Sequence, residues 1–165
     1  MIVWSPYCVT QPITLGINVD FDELYQAIIL DHSKRPRNRG TLPPPATHGS
    51  GYNPACGDEV TVFVRQTPEG EIKEVSFESQ ACAICTASTS LMTTQIKGKS
   101  RNHALLLQRR FIDFLTKDSA EEGLGNLQAL GGVKKFPQRL KCATLGWHAF
   151  EVALSGSKSE PVTSE

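Results

Sequence analysis

Residues 59–77 read EVTVFVRQTPEGEIKEVSF, and this stretch decides the fold of the 165-residue chain. Valine occupies every second position in its first half, which is typical of a strand with one buried face. The sequence TPEG at 67–70 favours a turn, and a second strand is predicted at 71–77, where Ile72 breaks the alternation. We therefore predict a β-hairpin at the centre of the chain.

A helix is predicted before the hairpin. Asp20 followed by Glu23 resembles a capping box, and Pro36 ends the helical pattern. The apolar residues between them recur at helical spacing and form one stripe: Phe21, Leu24, Tyr25, Ile28 and Ile29. The next 20 residues, 35–54, contain five prolines, and we predict a long surface loop there.

Three further helices are predicted after the hairpin, at residues 84–97, 100–117 and 137–154. Residues 120–132 hold four glycines and are predicted to form a short helix or irregular structure. The last helix carries a stripe assigned to the core: Leu140, Ala143, Trp147, Phe150 and Leu154. The order of helix, strands and helices favours an α+β fold, with helices on one face of a small antiparallel sheet.

Composition excludes several classes of protein. Lysine plus arginine and aspartate plus glutamate each number 17, so the basic excess typical of a nucleic-acid binder is missing. No run of 18 apolar residues is present, which argues against a membrane protein. The start of the chain lacks the basic and unbroken apolar regions of a secretory signal, so we expect a cytoplasmic protein.

The five cysteines indicate metal binding or thiol chemistry. They lie at Cys8, Cys56, Cys82, Cys85 and Cys142. An odd number cannot close a disulfide framework, and clustered cysteines in a reducing compartment more often bind metal or react as thiols.

Three cysteines are placed where they can meet at one end of the sheet. Cys56 precedes the hairpin, Cys82 follows it, and Cys142 lies near the start of the last helix, whose N-terminus favours thiolate. Asp58 follows Cys56 after a glycine and is the candidate for a fourth ligand. Three thiolates and a carboxylate suit tetrahedral zinc or an iron–sulfur unit, and Arg139 and Lys141 can offset their negative charge.

The carboxylate distinguishes this set from a closed structural zinc site, which is the main alternative. Structural sites rarely use carboxylate ligands. A hard oxygen among soft sulfurs is also the ligand most easily exchanged. The set therefore favours a site that changes its occupancy or coordination.

Four stretches carry a resemblance to a known family. They are LYQAIILDHSKRPRNRG at 24–40, GYNPACGDEV at 51–60, ACAICTAS at 81–88 and RLKCATLGWHAF at 139–150. Together they resemble the U-type iron–sulfur cluster assembly proteins, which include IscU, the N-terminal domain of NifU and SufU. Lys141 before the last cysteine, and the 60-residue span from Cys82 to Cys142, indicate the SufU branch.

The resemblance implies an α+β fold with a three-stranded sheet, its third strand coming from residues 49–55 or from the tail. We expect an N-terminal extension at 1–19, the assembly domain at 20–154 and a disordered tail at 155–165.

The resemblance also implies a function. The family's ligands map to Cys56, Asp58, Cys82 and Cys142. SufU-like members bind zinc on them and accept persulfide sulfur from a SufS-like cysteine desulfurase, for transfer to cluster assembly or apo iron–sulfur proteins. This is the work of a sulfurtransferase-like carrier rather than a free-standing enzyme. IscU-like members instead build a transient [2Fe–2S] cluster on the same residues, and this alternative stays open.

Cys56 is the expected sulfur acceptor. It lies on the loop rich in glycine and proline, next to Gly57, where the backbone can move. Cys142, on a helix, is less free. The resemblance to SufU points to the same cysteine.

Other candidate residues have less specific interpretations. Cys85 forms a redox pair with Cys82, offers a spare ligand, or is a small buried thiol, which is the favoured interpretation. His32 and His148 are expected to be core or surface histidines. The basic run at 34–39 is a solvated segment or a docking patch for an acidic partner.

Overall fold

The computed structural model describes residues 20–119, 122–156 and 161–163. Cys8 and the predicted N-terminal extension lie outside these ranges. The elements follow the predicted order, with two additional strands: α1 Phe21–Lys34, β1 Thr47–Asn53, β2 Asp58–Gln66, β3 Ile72–Gln80, α2 Ala83–Ile96, α3 Arg101–Thr116, a 3-10 helix Gly125–Lys135, α4 Pro137–Ser155 and β4 Val162–Thr163.

The strands form one sheet in the order β3-β2-β1-β4. The first three are antiparallel, and β4 pairs with β1 in parallel. The α+β class is confirmed, but the expected three-stranded sheet is wrong by one strand. The break at Ile72 has a local cause: the register shifts between Arg65 and Gln66, so Ile72 is buried together with Val75.

The prediction of an unbroken surface loop at 35–54 is wrong, because β1 occupies its second half. The glycines that hide this strand in the sequence are required by packing against α4. A Cβ atom added at Gly49 would lie 2.1 Å from the carbonyl oxygen of Ala149. A strand with larger side chains there would force α4 away from the sheet.

The prediction of a disordered tail at 155–165 is wrong for the part that the structure describes. Ser155 is the last residue of α4, and Val162 and Thr163 pair with Gly51 and Tyr52 of β1. A two-residue parallel pairing depends on contacts distant in sequence, so the polar composition of this segment could not indicate it.

The helices bury the valine face of the hairpin. Helix α4 packs on β1 and β2, α2 packs on α4 and β3, and α1 lies against α2. The predicted core stripe of α4 is buried except at Leu140, which is only partly covered. In α1, Ile28 and Ile29 reach the core, whereas Leu24 is 46% exposed. Among the described helices, none is both long and apolar enough to cross a membrane.

Candidate metal centre

The predicted ligands lie on chain segments that are distant in sequence but neighbours in space, at one end of the sheet. Asp58 is the first residue of β2, and Cys56 lies on the turn before it. Cys82 is the N-cap residue of α2, and Cys142 lies in the second turn of α4. Because β2 and β3 are antiparallel, the start of β2 and the end of β3 meet at the same end of the sheet.

The turn that carries Cys56 is closed by Asn53. The main-chain oxygen of Asn53 accepts hydrogen bonds from the nitrogens of Gly57 at 2.8 Å and Cys56 at 3.3 Å, and its Oδ1 accepts one from Ala55 at 3.1 Å. Gly57 has φ 69°, a conformation that glycine adopts without a steric penalty. The turn therefore ends at Asp58 with the Cys56 side chain exposed.

Three of the four predicted ligands form one compact group. One side-chain donor atom from each of Cys56, Asp58 and Cys142 lies within 4.8 Å of the other two. The two sulfurs are 3.5 Å apart. That separation excludes a disulfide and is close to the ~3.8 Å between two thiolates on one tetrahedral zinc ion with Zn–S bonds of about 2.3 Å.

Cys82 joins this group through the carboxylate of Asp58. Its backbone nitrogen donates to Oδ1 over 2.8 Å, and its Sγ lies 3.6 Å from Oδ2. Asp58 is 2% exposed. The carboxylate is thus held in a fixed orientation, with one oxygen bonded to the backbone and the other facing a thiol.

The three thiols differ in their access to solvent. Cys142 is fully buried, Cys82 is half-buried, and Cys56 is exposed. Attack by a thiolate on an outside group requires access to the sulfur. Cys56 meets that requirement best among the three.

Electrostatics at Cys142 oppose the thiolate in the metal-free protein. Burial raises the pKa of the Cys142 thiol, and hydrogen bonds with Asp58 and Cys56 and the charge of Cys82 raise it further. The N-terminus of α4 was expected to stabilise the Cys142 thiolate. This effect is small, because Cys142 lies in the second turn and the helix dipole acts within the first. A bound cation would reverse this balance, since metal coordination deprotonates thiols.

Of the two predicted auxiliary cations, Arg139 has the clearer link to the site. A hydrogen bond to Cys142 is the main reason that the pKa of Arg139 lies above its ordinary value, followed by the charges of Cys82 and Cys142. Lys141 is half-buried beside Cys142, and no ion pair of its ammonium group occurs within the described residues.

Cys85 and His32 lie in packed surroundings. Cys85 is fully buried on α2, and burial raises the pKa of its thiol. His32 is 8% exposed, and its Nδ1 is 2.8 Å from the hydroxyl of Ser90. Cys85 thus matches the description of a small core thiol, and His32 that of a buried histidine with a hydrogen-bond partner.

The basic run at 34–39 is partly engaged in contacts within the chain. The Arg37 guanidinium pairs with Asp31, and that of Arg39 donates to the carbonyl oxygen of Ser79. The ion pair offsets the charge of Arg37, whereas the hydrogen bond of Arg39 leaves its charge unchanged. The docking patch stays a prediction.

One residue of the site was missed by the sequence analysis. Asn53 is completely buried, and its Nδ2 donates to the sulfur of Cys142 over 3.6 Å. The signal was an asparagine directly before Pro54, a pair typical of turns, but it gave no indication of a contact with a cysteine 89 residues away.

Comparisons with known proteins agree on one family for this chain. Residues 24–162 match the NifU-like N-terminal domain. The chain is 40% identical over 140 residues to the zinc-dependent sulfurtransferase SufU of Bacillus subtilis, covering 83% of this chain and 93% of that protein. It is 39% identical over 138 residues to the iron–sulfur cluster assembly scaffold protein IscU of Streptococcus pyogenes, covering 82% and 86%.

Solved structures of related proteins have the same fold. A candidate iron–sulfur cluster assembly scaffold protein for the SUF system from Fervidobacterium islandicum superposes with a TM-score of 0.73 at 34% identity, over 77% of this chain and 93% of that one. The N-terminal part of a NifU-like protein from Brucella abortus gives 0.74 at 22% identity, over 82% and 95%, a likeness of fold. The relatives in sequence carry two different functional names at almost equal identity, so similarity alone does not choose between them.

Proposed function

The chain belongs to the family of NifU-like N-terminal domains, the U-type iron–sulfur cluster assembly scaffolds, and we propose that it binds zinc and accepts persulfide sulfur from a SufS-like cysteine desulfurase. One observation carries the proposal. An exposed thiol, Cys56, lies 3.5 Å from a buried thiol, Cys142, beside a buried carboxylate. Such a pair combines a reactive sulfur with a fixed one.

The donor set fits zinc, with Cys56, Asp58, Cys82 and Cys142 as ligands. Thiolate and carboxylate are both ordinary zinc ligands, and the observed separation of two of the sulfurs is close to that on one ion. When bound, zinc would keep the thiols deprotonated at neutral pH and suppress their reactivity.

The acceptor cysteine must leave the site to react, and Cys56 is the proposed acceptor because it is the ligand that can leave most easily. Its turn is solvent-exposed at residues 54–57, so the sulfur can swing outward without disturbing the core. Cys82, Asp58 and Cys142 are held by a helix cap, a strand and a helix, and they stay in place. A side chain of the desulfurase, for example a histidine, would fill the vacated position, so that only the right partner would release the thiolate.

The transfer balances without an external oxidant or reductant. The Cys56 thiolate attacks the outer sulfur of the desulfurase persulfide, a bond forms between the two sulfurs, and the original sulfur–sulfur bond breaks. The desulfurase cysteine leaves as a thiolate, so the negative charge of the attacking Cys56 thiolate passes to it and the step needs no net proton. Cys56 then carries the persulfide, and Arg139 near the site can offset negative charge.

In this scheme the protein acts as an enzyme-like carrier that works together with the desulfurase, and not as a free-standing enzyme. U-type proteins work with cysteine desulfurases and transfer their product onward, so the downstream partners are cluster assembly proteins or apo iron–sulfur proteins. Free thiols require a reducing compartment, which supports a cytoplasmic location.

A second function is favoured by the same donor set. Thiolates also hold iron–sulfur clusters, and the relative from Streptococcus pyogenes is named a scaffold. In this alternative a transient [2Fe–2S] cluster is built on the four ligands and passed to apo-proteins.

Metal content and desulfurase stimulation together test the proposal. Protein purified without added metal should be colourless, contain about one zinc per chain, and increase desulfurase turnover. Cys56→Ser should abolish the stimulation, whereas the matched control Cys85→Ser should retain it. A brown protein that contains acid-labile sulfide and does not stimulate the desulfurase would support the scaffold alternative instead.

A further inference from the structure

Asn53 lies beneath the candidate metal centre and connects three of the four proposed ligands. It is the last residue of β1 and pairs with Asp58 across the ladder between β1 and β2. Its main-chain oxygen accepts from the nitrogen of Cys56 over 3.3 Å, and its side-chain Nδ2 donates to the Sγ of Cys142 over 3.6 Å. The residue is completely buried.

The second partner of the Asn53 side chain fixes the orientation of the amide. Oδ1 accepts a hydrogen bond from the nitrogen of Ala55 over 3.1 Å. Only the oxygen of an amide can accept, so Nδ2 is left facing Cys142. A buried N–H group requires an acceptor, and the sulfur of Cys142 supplies it.

This contact makes the two neighbouring thiols unequal. The sulfur of Cys142 is buried and accepts an N–H donor, which stabilises its thiolate charge. Cys56 contacts Asn53 through its backbone, and its side chain is exposed. Groups that hydrogen-bond to metal ligands fix the orientation of the ligand and tune its electronic properties.

We propose that Asn53 is a positioning residue that holds Cys142 on the metal through this N–H···S hydrogen bond, so that ligand exchange falls on Cys56. The inference rests on the proposed zinc site and adds the residue that decides which cysteine stays. Asn53 does not touch the transferred sulfur.

Two substitutions separate its two hydrogen bonds. In Asn53→Ser the shorter hydroxyl can still accept from Ala55 but cannot reach the sulfur of Cys142, whereas Asn53→Ala loses both bonds. Asn102→Ser is the matched control. Asn102 is exposed on α3, whose Arg101 bonds to Leu154 at the opposite end of α4 from Cys142.

The readout is the cobalt-substituted protein, together with zinc affinity. The absorption band of sulfur-to-cobalt charge transfer should move to longer wavelength in both Asn53 variants and stay unchanged in Asn102→Ser. Zinc affinity, measured by competition with a chromophoric chelator, should fall about 10- to 100-fold in both variants. Melting of the metal-free proteins shows which variants fold. If Asn53→Ala does not fold, the test rests on Asn53→Ser alone.

Two results would overturn the inference. One is an unchanged charge-transfer band in a variant that binds cobalt. The other is an Asn53→Ser protein with the charge-transfer band and zinc affinity of the unmodified protein. Asn53 would then serve only to close the turn, and its hydrogen bond to Cys142 would have no effect on the metal. If the unmodified protein binds neither metal, the proposed function and this inference both fail. If it binds metal and accepts sulfur, but the band of the variants does not move, only the role of Asn53 fails.

Discussion

Oδ1 of Asp58 accepts a 2.8 Å hydrogen bond from the backbone nitrogen of Cys82. The carboxylate therefore has two tasks, because it ties the start of β2 to the cap of α2 and turns its other oxygen toward the Cys82 sulfur, 3.6 Å away. One residue thus links the stability of this end of the sheet to the geometry of the proposed metal centre.

Two substitutions of Asp58 should separate these tasks. Asp58→Asn keeps an oxygen acceptor for Cys82 but loses the charge, whereas Asp58→Ala removes the acceptor of the partly buried Cys82 N–H. We expect both variants to bind zinc more weakly, and the metal-free alanine variant to be less stable to urea than the asparagine variant by about 1–3 kcal/mol. Equal stability of the two variants would contradict the role of the hydrogen bond.

Removal of the metal should lower the melting temperature. In the proposed site, ligands from distant segments would share one ion, so that binding energy would become folding energy. We expect a fall of about 10 °C when verified chelation replaces a zinc concentration roughly 1,000 times the dissociation constant. Calorimetry measures the shift. Cys142→Ala is the control, because chelator should not move its melting temperature, and an unchanged curve for the unmodified protein would argue against a shared site.

Cys85→Ser should retain the metal. Cys85 is fully buried in the core, outside the group formed by Cys56, Asp58 and Cys142. Serine places a hydroxyl in that position, at a cost of about 1–3 kcal/mol in unfolding free energy if it finds no partner. Cys82→Ser is the matched comparison and should lose zinc affinity. Loss of one metal equivalent in Cys85→Ser would instead identify Cys85 as a ligand.

The metal-free protein should become less stable in alkaline solution. Burial raises the pKa of Cys142 in the folded state, so above the unfolded value of about 8.5 the unfolded chain binds fewer protons and stability falls as pH rises. The contribution of this thiol is intact below that pH and decreases by up to about 1.4 kcal/mol for each further pH unit.

Urea unfolding at pH 7.5 and pH 10 measures this loss. Cys142→Ser should show a smaller loss, because it removes that thiol and, within the part of the chain that the structure describes, leaves only Cys85 as a buried thiol with a raised pKa. Equal losses in the two metal-free proteins would show that the pKa of Cys142 is not raised in the folded state.

Local sequence patterns predicted much of the fold. The alternation of valines identified the hairpin, and periodic apolar residues identified the helices that pack on it. The same patterns could not identify β1, because Gly49 reflects the approach of α4 from the other end of the chain. Nor could they identify β4, which needs a partner more than 100 residues away.

The proposed site shows a similar division. Family motifs selected Cys56, Asp58, Cys82 and Cys142, and the structure places them at one end of the sheet. The part played by Asn53 depends on a contact between β1 and α4, and no local pattern reports such a contact.

The central claim is that Cys56 receives the sulfur. The most direct measurement is peptide mass spectrometry of the zinc-loaded protein after incubation with a cysteine desulfurase and cysteine, with alkylation to trap persulfides. We predict a mass gain of one sulfur on the peptide that carries Cys56, and none in Cys56→Ala. Sulfur found on Cys142, with Cys56→Ala still stimulating the desulfurase, would contradict the account.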